Sequence, residues 1–200
     1  MEVPMLNMKQ MALGAYQTNC YLVWGENSPS CVVIDPGYEP DTILDAVEQL
    51  GKTISAILLT HGHFDHVGAV KDLVAETGCS VYLCPEDCSM PPQMTAGPLY
   101  YTNSYAEGNF VEASGLSFKV LHTPGHTPGS VCLMCENVIF SGDTLFWGSC
   151  GRTDLPGGDW ATILASLRRL ANLTGDYDVY PGHGNATRLS FERKMNPYMQ

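Results

Sequence analysis

Positively charged residues are scarce in this chain of 200 residues. Ten lysines and arginines stand against 21 aspartates and glutamates, so the formal net charge at pH 7 is -11. A surface with this excess of negative charge repels phosphate backbones and anionic lipid headgroups. We therefore expect neither a nucleic acid nor a membrane as a partner, while the charge leaves the oligomeric state open.

Long hydrophobic runs are also missing. No apolar stretch approaches the roughly 20 residues that a membrane-spanning helix needs. The first 17 residues, MEVPMLNMKQMALGAYQ, contain neither the basic start nor the continuous apolar segment of an export signal. We therefore expect a cytoplasmic protein. Its 44% hydrophobic and 16% charged residues are typical of a globular chain, and its length predicts a single domain over residues 1–200.

The cysteines are numerous, but an export signal that would favour disulfides is missing, so we expect reduced thiols. There are eight of them: Cys20, Cys31, Cys79, Cys84, Cys88, Cys132, Cys135 and Cys150. Cys132 and Cys135 form a C-x-x-C pair within a strand-like run, where positions three apart point to opposite faces. We interpret them as core thiols, with a metal or redox pair as the alternative. Cys84 and Cys88 are interpreted in the same way, with a disulfide or an additional metal as alternatives.

Apolar runs of strand length alternate with amphipathic stretches of helix length. Helices are predicted at 40–51, 67–78, 158–173 and 187–199, and strand-like runs at 20–25, 30–37, 55–60, 80–84, 116–123, 130–135, 137–142 and 176–182. The pattern predicts an α/β fold with helices outside the sheets and two similar halves. Residues 85–113, with four prolines, read as a long connection that forms a lid, for which Tyr100 and Tyr101 are candidate lining residues.

Side chains that bind metals are concentrated in THGHFDH, residues 60–66, directly after a predicted strand. On extended backbone His61 and His63 point the same way and can meet one cation, whereas on a helix they would diverge. Asp65 and His66 follow at the entry to a helix and can converge on a second point. Three more residues of this kind follow strand-like runs at turns that contain glycine: His126, Asp143 and His183.

If the strands share a direction, these clusters meet at one edge of the sheets, where α/β proteins place ligand sites. Five imidazoles and two carboxylates suit Zn, Fe or Mn better than an all-oxygen calcium or magnesium site. Seven ligands are too many for one tetrahedral ion and match two. We assign His61, His63 and His126 to the first ion, Asp65, His66 and His183 to the second, and Asp143 to both. The sixth histidine, His122, is interpreted as a structural or supporting residue.

These motifs resemble those of the metallo-β-lactamase superfamily. THGHFDH matches its H-x-H-x-D-H motif, and HTPGHTPGS, SGDTLF and YPGHG match its later metal motifs in the same order. Within the superfamily, GDTLFWGSCGRTDLPGGD and ERKMNPYM resemble the glyoxalase II-like (hydroxyacylglutathione hydrolase-like) branch. The resemblance runs from TNCYLV near the N-terminus to the end of the sequence. It implies an αββα sandwich, with two sheets face to face and helices outside, and a binuclear metal hydrolase.

The resemblance also bears on residues outside the ligand set. Asp35 in IDPG resembles a buried support for the metal loop. Arg152 and Asp154, in the loop after Asp143, are interpreted as a structural ion pair, with a role in shaping the pocket as the alternative. Full-length glyoxalase II enzymes carry a further C-terminal helical domain with basic residues for glutathione. This sequence ends after one predicted helix, whose basic residues we interpret as a solvated face: Arg188, Arg193 and Lys194. The comparison is therefore with short, single-domain hydrolases of this branch.

The chemistry of such a site favours hydrolysis of a small molecule. Two divalent ions lower the pKa of a shared water from about 15.7 to about 7 and so provide hydroxide at neutral pH. A thiol with a pKa of about 8.5 leaves without a strong general acid, which favours a thioester over an amide. We expect a metal-bridging hydroxide, two zinc ions with Fe or Mn as alternatives, Asp65 and Asp143 as catalytic residues, and a thioester such as S-lactoylglutathione as substrate.

Other activities fit parts of the same pattern. Persulfide dioxygenases share this fold and a similar GCGRTD loop but hold one iron by two histidines and one aspartate, here His61, His126 and Asp143. A lactone or ester hydrolase and, less closely, a phosphodiesterase are further alternatives. A binding protein without activity would be indicated by the loss of a ligand, and all seven are present.

Overall fold

The computed structural model describes residues 6–200, and its strands and helices follow the alternation predicted from the sequence. The strands are β1 Leu6–Leu13, β2 Thr18–Gly25, β3 Ser30–Ile34, β4 Thr53–Leu58, β5 Ser80–Leu83, β6 Asn103–Ser104, β7 Phe110–Ala113, β8 Leu116–His122, β9 Val131–Cys135, β10 Val138–Gly142, β11 Leu145–Phe146, β12 Ser149–Cys150, β13 Asp178–Pro181 and β14 Thr187–Arg188. The α-helices are α1 Pro40–Gln49, α2 Phe64–Val67, α3 Val70–Thr77, α4 Pro92–Thr95, α5 Trp160–Ala171 and α6 Leu189–Met195, and 3-10 turns lie at Pro85–Ser89 and Pro197–Met199.

Two six-stranded mixed sheets form the centre of the molecule. The first has the order β1-β2-β3-β4-β5-β6, antiparallel as far as β3 and parallel beyond it. The second has the order β14-β13-β10-β9-β8-β7, in which β10 and β13 are the parallel pair. Parallel pairs need long crossover connections, and helices provide them here: α1 between β3 and β4, and α5 between β10 and β13.

The buried apolar residues within 6–200 form three clusters, and these define four layers. The middle cluster joins the inner faces of the two sheets, with Ile34 from the first and Phe118 from the second. One outer cluster packs the first sheet against α1 and α3 and includes Leu73. The other packs the second sheet against α5 and α6 and includes Leu167. The predicted αββα sandwich is confirmed.

The chain departs from the predicted elements at several positions. The helix predicted at 67–78 begins only at Val70, as α3, and α2 is a separate turn before it. The two are interrupted because the N–H of Ala69 donates to the carbonyl of Pro36 (3.0 Å) instead of continuing a helical ladder. Strand β1 was not predicted at all. Segment 85–113, expected to be irregular, contains the edge strand β7 as well as short turns.

Individual residues have defined roles in these elements. Asp159 caps α5, since its carboxylate accepts a hydrogen bond from the Thr162 N–H at 2.7 Å. Cys132 and Cys135 are free thiols buried in different clusters, on opposite faces of β9. They are core residues rather than a metal or redox pair.

The interpretation of Arg193 as part of a solvated helix face is wrong. Its guanidinium donates to the carbonyls of Ala171 (2.8 Å), Gly175 (2.7 Å) and Leu173, which lie at or just beyond the end of α5. A cation that pairs with the last carbonyls of a helix stabilises that helix end. Arg193 therefore joins α6 to α5. None of the described helices is long and apolar enough to span a bilayer.

Candidate metal centre

The candidate ligands follow strand ends that lie at one edge of the two sheets. Because β8 and β10 each run antiparallel to β9, and β13 runs parallel to β10, these three strands share a direction. His126, Asp143 and His183 come after β8, β10 and β13 in turn. THGHFDH follows β4 of the facing sheet, so the two sheets contribute to the same edge.

His61, His63 and His126 form the first group of ligands. One nitrogen from each ring lies within 4.8 Å of the others, and all three side chains are buried. His63 Nδ1 and His126 Nε2 are only 2.9 Å apart, a separation that requires a proton or a cation shared between the two rings. The backbone at His63 is extended, with φ -65° and ψ 145°, as the i, i+2 spacing predicts.

Asp65, His66 and His183 form the second group, which also fits within 4.8 Å. The Nε2 atom of His183 lies 3.2 Å from Asp65 Oδ2 and 3.4 Å from His66 Nε2. Asp65 and His66 are adjacent in the single turn of α2. The short helix thus brings both side chains within reach of His183, which follows β13, while the ring of His66 also lies 4.1 Å from the ring of His61.

Asp143 lies between the two groups. Its Oδ2 atom is 3.4 Å from His126 Nε2, and its Oδ1 atom is 3.5 Å from His66 Nε2. The backbone of Gly182 passes close by: a Cβ there would lie 2.3 Å from Asp143 Oδ1. Only glycine leaves room at position 182 for the carboxylate to face both groups.

Asp35 supports this arrangement through hydrogen bonds to His66 and to Thr60, the residue before His61. It is buried, has a left-handed φ of 52°, and accepts hydrogen bonds from Thr60 N (2.8 Å), Thr60 Oγ1 (2.6 Å) and His66 Nδ1 (3.0 Å). A carboxylate oxygen of Asp35 and ring nitrogens of His61 and His66 lie within 4.8 Å of one another and form a third group of possible ligands. Both of its oxygens already accept hydrogen bonds, so its position is that of a residue which orients His66.

Residues of the loop after β12 orient His126 from the other side. Its Nδ1 atom is 2.8 Å from the carbonyl oxygen of Arg152, so Nδ1 carries the proton and Nε2 is free to bind a metal. The Arg152 guanidinium pairs with Asp154 at 2.7 Å, and both side chains are exposed. The predicted ion pair is present, and Arg152 also lines the cavity that opens onto the ligands, in agreement with the alternative role. His122 contacts Pro128 O at 2.8 Å and belongs to neither group, in agreement with a structural role.

The two groups differ in protonation. Burial and the neighbouring imidazoles lower the pKa of His63 to about 4, and burial lowers the pKa of His61 well below its usual value. Burial also disfavours charge on His66, but the carboxylates of Asp143 and Asp35 raise its pKa to about 9. Burial alone would raise the pKa of Asp65, yet the hydrogen bond from His183 and the charge of His66 hold it well below its usual range.

The donor set fits divalent metal ions. His61 Nε2 and Asp143 Oδ1 are buried without a hydrogen-bond partner among the described residues, although such atoms are normally paired. Neutral imidazoles beside ionised carboxylates are ligands that zinc, iron and manganese accept. Each group has three donors, and Asp143 can serve both.

A cavity of about 580 Å³ opens onto the two groups. His63, Asp65, His126, Asp143 and His183 form its base, and its walls are largely apolar: Tyr16, Phe64, Met94, Phe146 and Leu155. Met94 comes from the segment that the sequence marked as a lid. Tyr100 and Tyr101, the residues proposed to line that lid, are about 40% exposed and lie outside this lining.

Sequence reasoning missed two polar residues beside the ligands. Thr18 Oγ1 donates to Asp65 Oδ2 at 3.2 Å, and buried Asp87 bonds to the loops on both sides of the first group. Thr18 begins TNCYLV, where the family resemblance starts, but that match gives the residue no role. Asp87 is one of two acidic residues in the stretch LCPEDCSM, and this local pattern does not reveal which residues its carboxylate contacts.

Comparison with known proteins agrees with this geometry. Residues 13–183 match the model of the metallo-beta-lactamase superfamily. The chain is 34% identical to hydroxyacylglutathione hydrolase GloC of Haemophilus influenzae, over 97% of this chain and 98% of that protein.

Solved structures of similar length share the fold. The crystal structure of TTHA1623 in a di-iron-bound form has a TM-score of 0.83 and 41% identity, covering 95% of this chain and 99% of that one. The crystal structure of the BLEG-1 B3 metallo-beta-lactamase has a TM-score of 0.87 and 35% identity, covering 97% and 100%. With the fold, the order of the motifs and the family match in agreement, this chain belongs to the metallo-beta-lactamase superfamily.

Proposed function

We propose that this protein is a hydrolase that holds two divalent metal ions and cleaves a carboxylic thioester of the S-lactoylglutathione type. The observation that supports this most strongly is the position of Asp143, with one oxygen 3.4 Å from His126 and the other 3.5 Å from His66. A carboxylate between two separate groups of imidazoles is suited to two ions rather than one. Similarity to a protein named hydroxyacylglutathione hydrolase supports the choice of substrate class.

In this proposal each group holds one ion. His61, His63 and His126 bind the first, Asp65, His66 and His183 bind the second, and Asp143 is shared. Zinc is our first choice of metal, and the di-iron form of TTHA1623 makes iron the first alternative. Bound at these positions, the ions would act as Lewis acids and make water a nucleophile at neutral pH.

The residues of the chain provide orientation and an apolar environment. Asp65 is ionised at neutral pH, so its Oδ2 accepts a hydrogen bond from Thr18 Oγ1 and can accept one from a water in the cavity. The walls formed by Tyr16, Phe64 and Phe146 would surround the scissile bond of a bound substrate with apolar side chains, which would strengthen the electrostatic interactions within the site. A thiolate leaving group needs no strong acid from these walls, whereas an amine does.

Two other activities can be compared with the same residues. A persulfide dioxygenase would use His61, His126 and Asp143 alone and would leave Asp65, His66 and His183 without a role, although His183 lies 3.2 Å from Asp65. Similarity to BLEG-1, named a B3 metallo-beta-lactamase, adds β-lactams to the lactones and esters that deserve comparison. The second group favours hydrolysis by two ions over the dioxygenase.

The test is a parallel assay on one metal-loaded preparation. Metal content is measured together with hydrolysis of S-lactoylglutathione, a lactone and a β-lactam, and with oxygen uptake on glutathione persulfide. About two ions per chain and thioester turnover are expected. One iron per chain, with oxygen uptake and no thioester turnover, would overturn the proposal.

A further inference from the structure

Asp87 is a buried carboxylate that none of the proposed catalytic steps uses. It lies in the 3-10 turn Pro85–Ser89, at the start of the segment between β5 and β7, and its exposed fraction is 0%. No ion pair among residues 6–200 includes it. A charge buried in this way must be stabilised by hydrogen bonds from neutral donors.

Those donors come from the two loops that carry the first group of ligands. The Gly62 N–H donates to Asp87 Oδ2 at 2.7 Å, and Gly62 lies between His61 and His63. On the other side Thr127 Oγ1 donates to Oδ2 at 3.0 Å and the Gly129 N–H donates to Oδ1 at 2.6 Å. Asp87 therefore links the chain on both sides of the first group.

The contact is close as well as polar. A Cβ at Gly129 would lie 2.7 Å from Asp87 Oδ1, and a Cβ at Gly62 would lie 3.2 Å from Asp87 Cβ. The backbone of Asp87 is itself fixed, since its N–H donates to Cys84 O (3.3 Å) and its carbonyl accepts from Met90 N (3.1 Å). The carboxylate is a rigid spacer with two glycine backbones packed against it.

We propose that Asp87 is a positioning residue that sets the separation of His61 and His63 from His126 and so preorganises the first metal site. The inference rests on the proposed function only in taking these three histidines as ligands. It assigns Asp87 no contact with metal or substrate. Residues that orient metal ligands through hydrogen bonds typically change metal affinity about 10- to 100-fold when they are replaced.

Asp87→Asn is the main test, because it keeps the size of the side chain and changes its donor pattern. An amide has one oxygen, and if that oxygen serves Gly62 and Thr127, its NH₂ group faces the Gly129 N–H, donor against donor. Zinc affinity is measured by competition with a chromophoric chelator in two parents. His183→Ala retains the first group intact, and His63→Ala retains the second.

We expect Asp87→Asn to weaken zinc binding at the first group and not at the second. Asp87→Asn weakens zinc binding about 10- to 100-fold in the His183→Ala parent and less than about threefold in the His63→Ala parent. Glu192→Gln is the matched control, since Glu192 is equally buried and accepts a hydrogen bond from the Gly148 N–H (3.0 Å). Its other side-chain partners are Thr187 and Asn196, so it does not bond to the two loops that Asp87 links. It should leave zinc affinity unchanged in both parents.

Thr127→Val covers the case in which Asp87→Asn does not fold. It removes one of the three hydrogen bonds and should weaken the first group alone, by a smaller factor. Unchanged affinity in whichever of these variants folds, or equal losses at both groups, would overturn the proposal. Because zinc is the only probe, a failure to hydrolyse thioesters would count against the proposed function and not against the role of Asp87.

Discussion

Asp143 is the side chain that connects the two groups of candidate ligands, and its removal tests the proposed sharing. Asp143→Ala should reduce thioester hydrolysis by about three orders of magnitude or more, because both ions lose a ligand. The fold should survive, since this residue belongs to none of the three apolar clusters. Activity is compared by kcat/KM and folding by circular dichroism, with exposed Asp41→Ala as the control. Activity at the level of the unmodified protein would rule out a shared Asp143.

Protonation of His66 gives a second prediction for single residues. In the metal-free protein its pKa of about 9 exceeds the ordinary value of 6.5, so His66 carries a proton at pH 7, whereas His63, at about 4, does not. Because a ligand imidazole must be neutral, filling the second group releases a proton below about pH 9, and its metal affinity rises with pH up to that value.

Calorimetric titration with zinc at pH 7 measures this release. The observed heat should differ between two buffers with different ionisation enthalpies, and the difference should shrink as the pH approaches 9. Equal heats in both buffers at pH 7 would contradict the assignment of His66 as a ligand that is protonated before metal binds.

At the scale of secondary structure elements, α6 stabilises α5 through Arg193. Arg193→Ala should lower the free energy of unfolding by about 1–2 kcal/mol, because hydrogen bonds to the carbonyls of Ala171, Leu173 and Gly175 are lost at a partly solvated site. Lys194→Ala, one residue along and exposed, is the control. Denaturant unfolding measures both, and identical midpoints would show that Arg193 does not join the helices.

The elements that the sequence predicted and those it did not differ in their environment. Strands such as β9 and β10 are buried on both faces, so their apolar runs are continuous, and Asp143 directly after β10 marked the site. Strand β1 is only half-buried along most of its length and β7 is a four-residue edge strand, so neither shows a clear alternation. The division between α2 and α3 depends on the bond from Ala69 to Pro36, a tertiary contact that no local pattern encodes.

Within the site, too, local patterns in the sequence predicted some features, whereas features that depend on tertiary contacts were missed. His61 and His63 could be paired from their i, i+2 spacing, because extended backbone fixes the relative direction of the two side chains. The orientation of His126 by the Arg152 carbonyl and the contacts of Asp87 arise between segments far apart in the chain. Such contacts form only when the strands are assembled, so no local sequence pattern predicts them.

At the scale of the whole molecule, the layer between the two sheets holds together the two halves that share the site. Phe118 is fully buried in this layer, and Phe118→Ala should lower the free energy of unfolding by about 3–5 kcal/mol through lost burial and the cavity left behind. Phe110→Ala, on the neighbouring edge strand and 60% exposed, should cost less than about 1 kcal/mol. Equal losses in denaturant unfolding would contradict this view of the core.

The central claim is that the two sheets together create a site for two ions that act as one catalytic unit. The most direct measurement titrates metal-free protein with zinc and follows S-lactoylglutathione hydrolysis and bound metal in the same samples. The account predicts that activity rises to its maximum at about two equivalents per chain. A maximum at one equivalent, or two bound ions with no thioester hydrolysis, would contradict it.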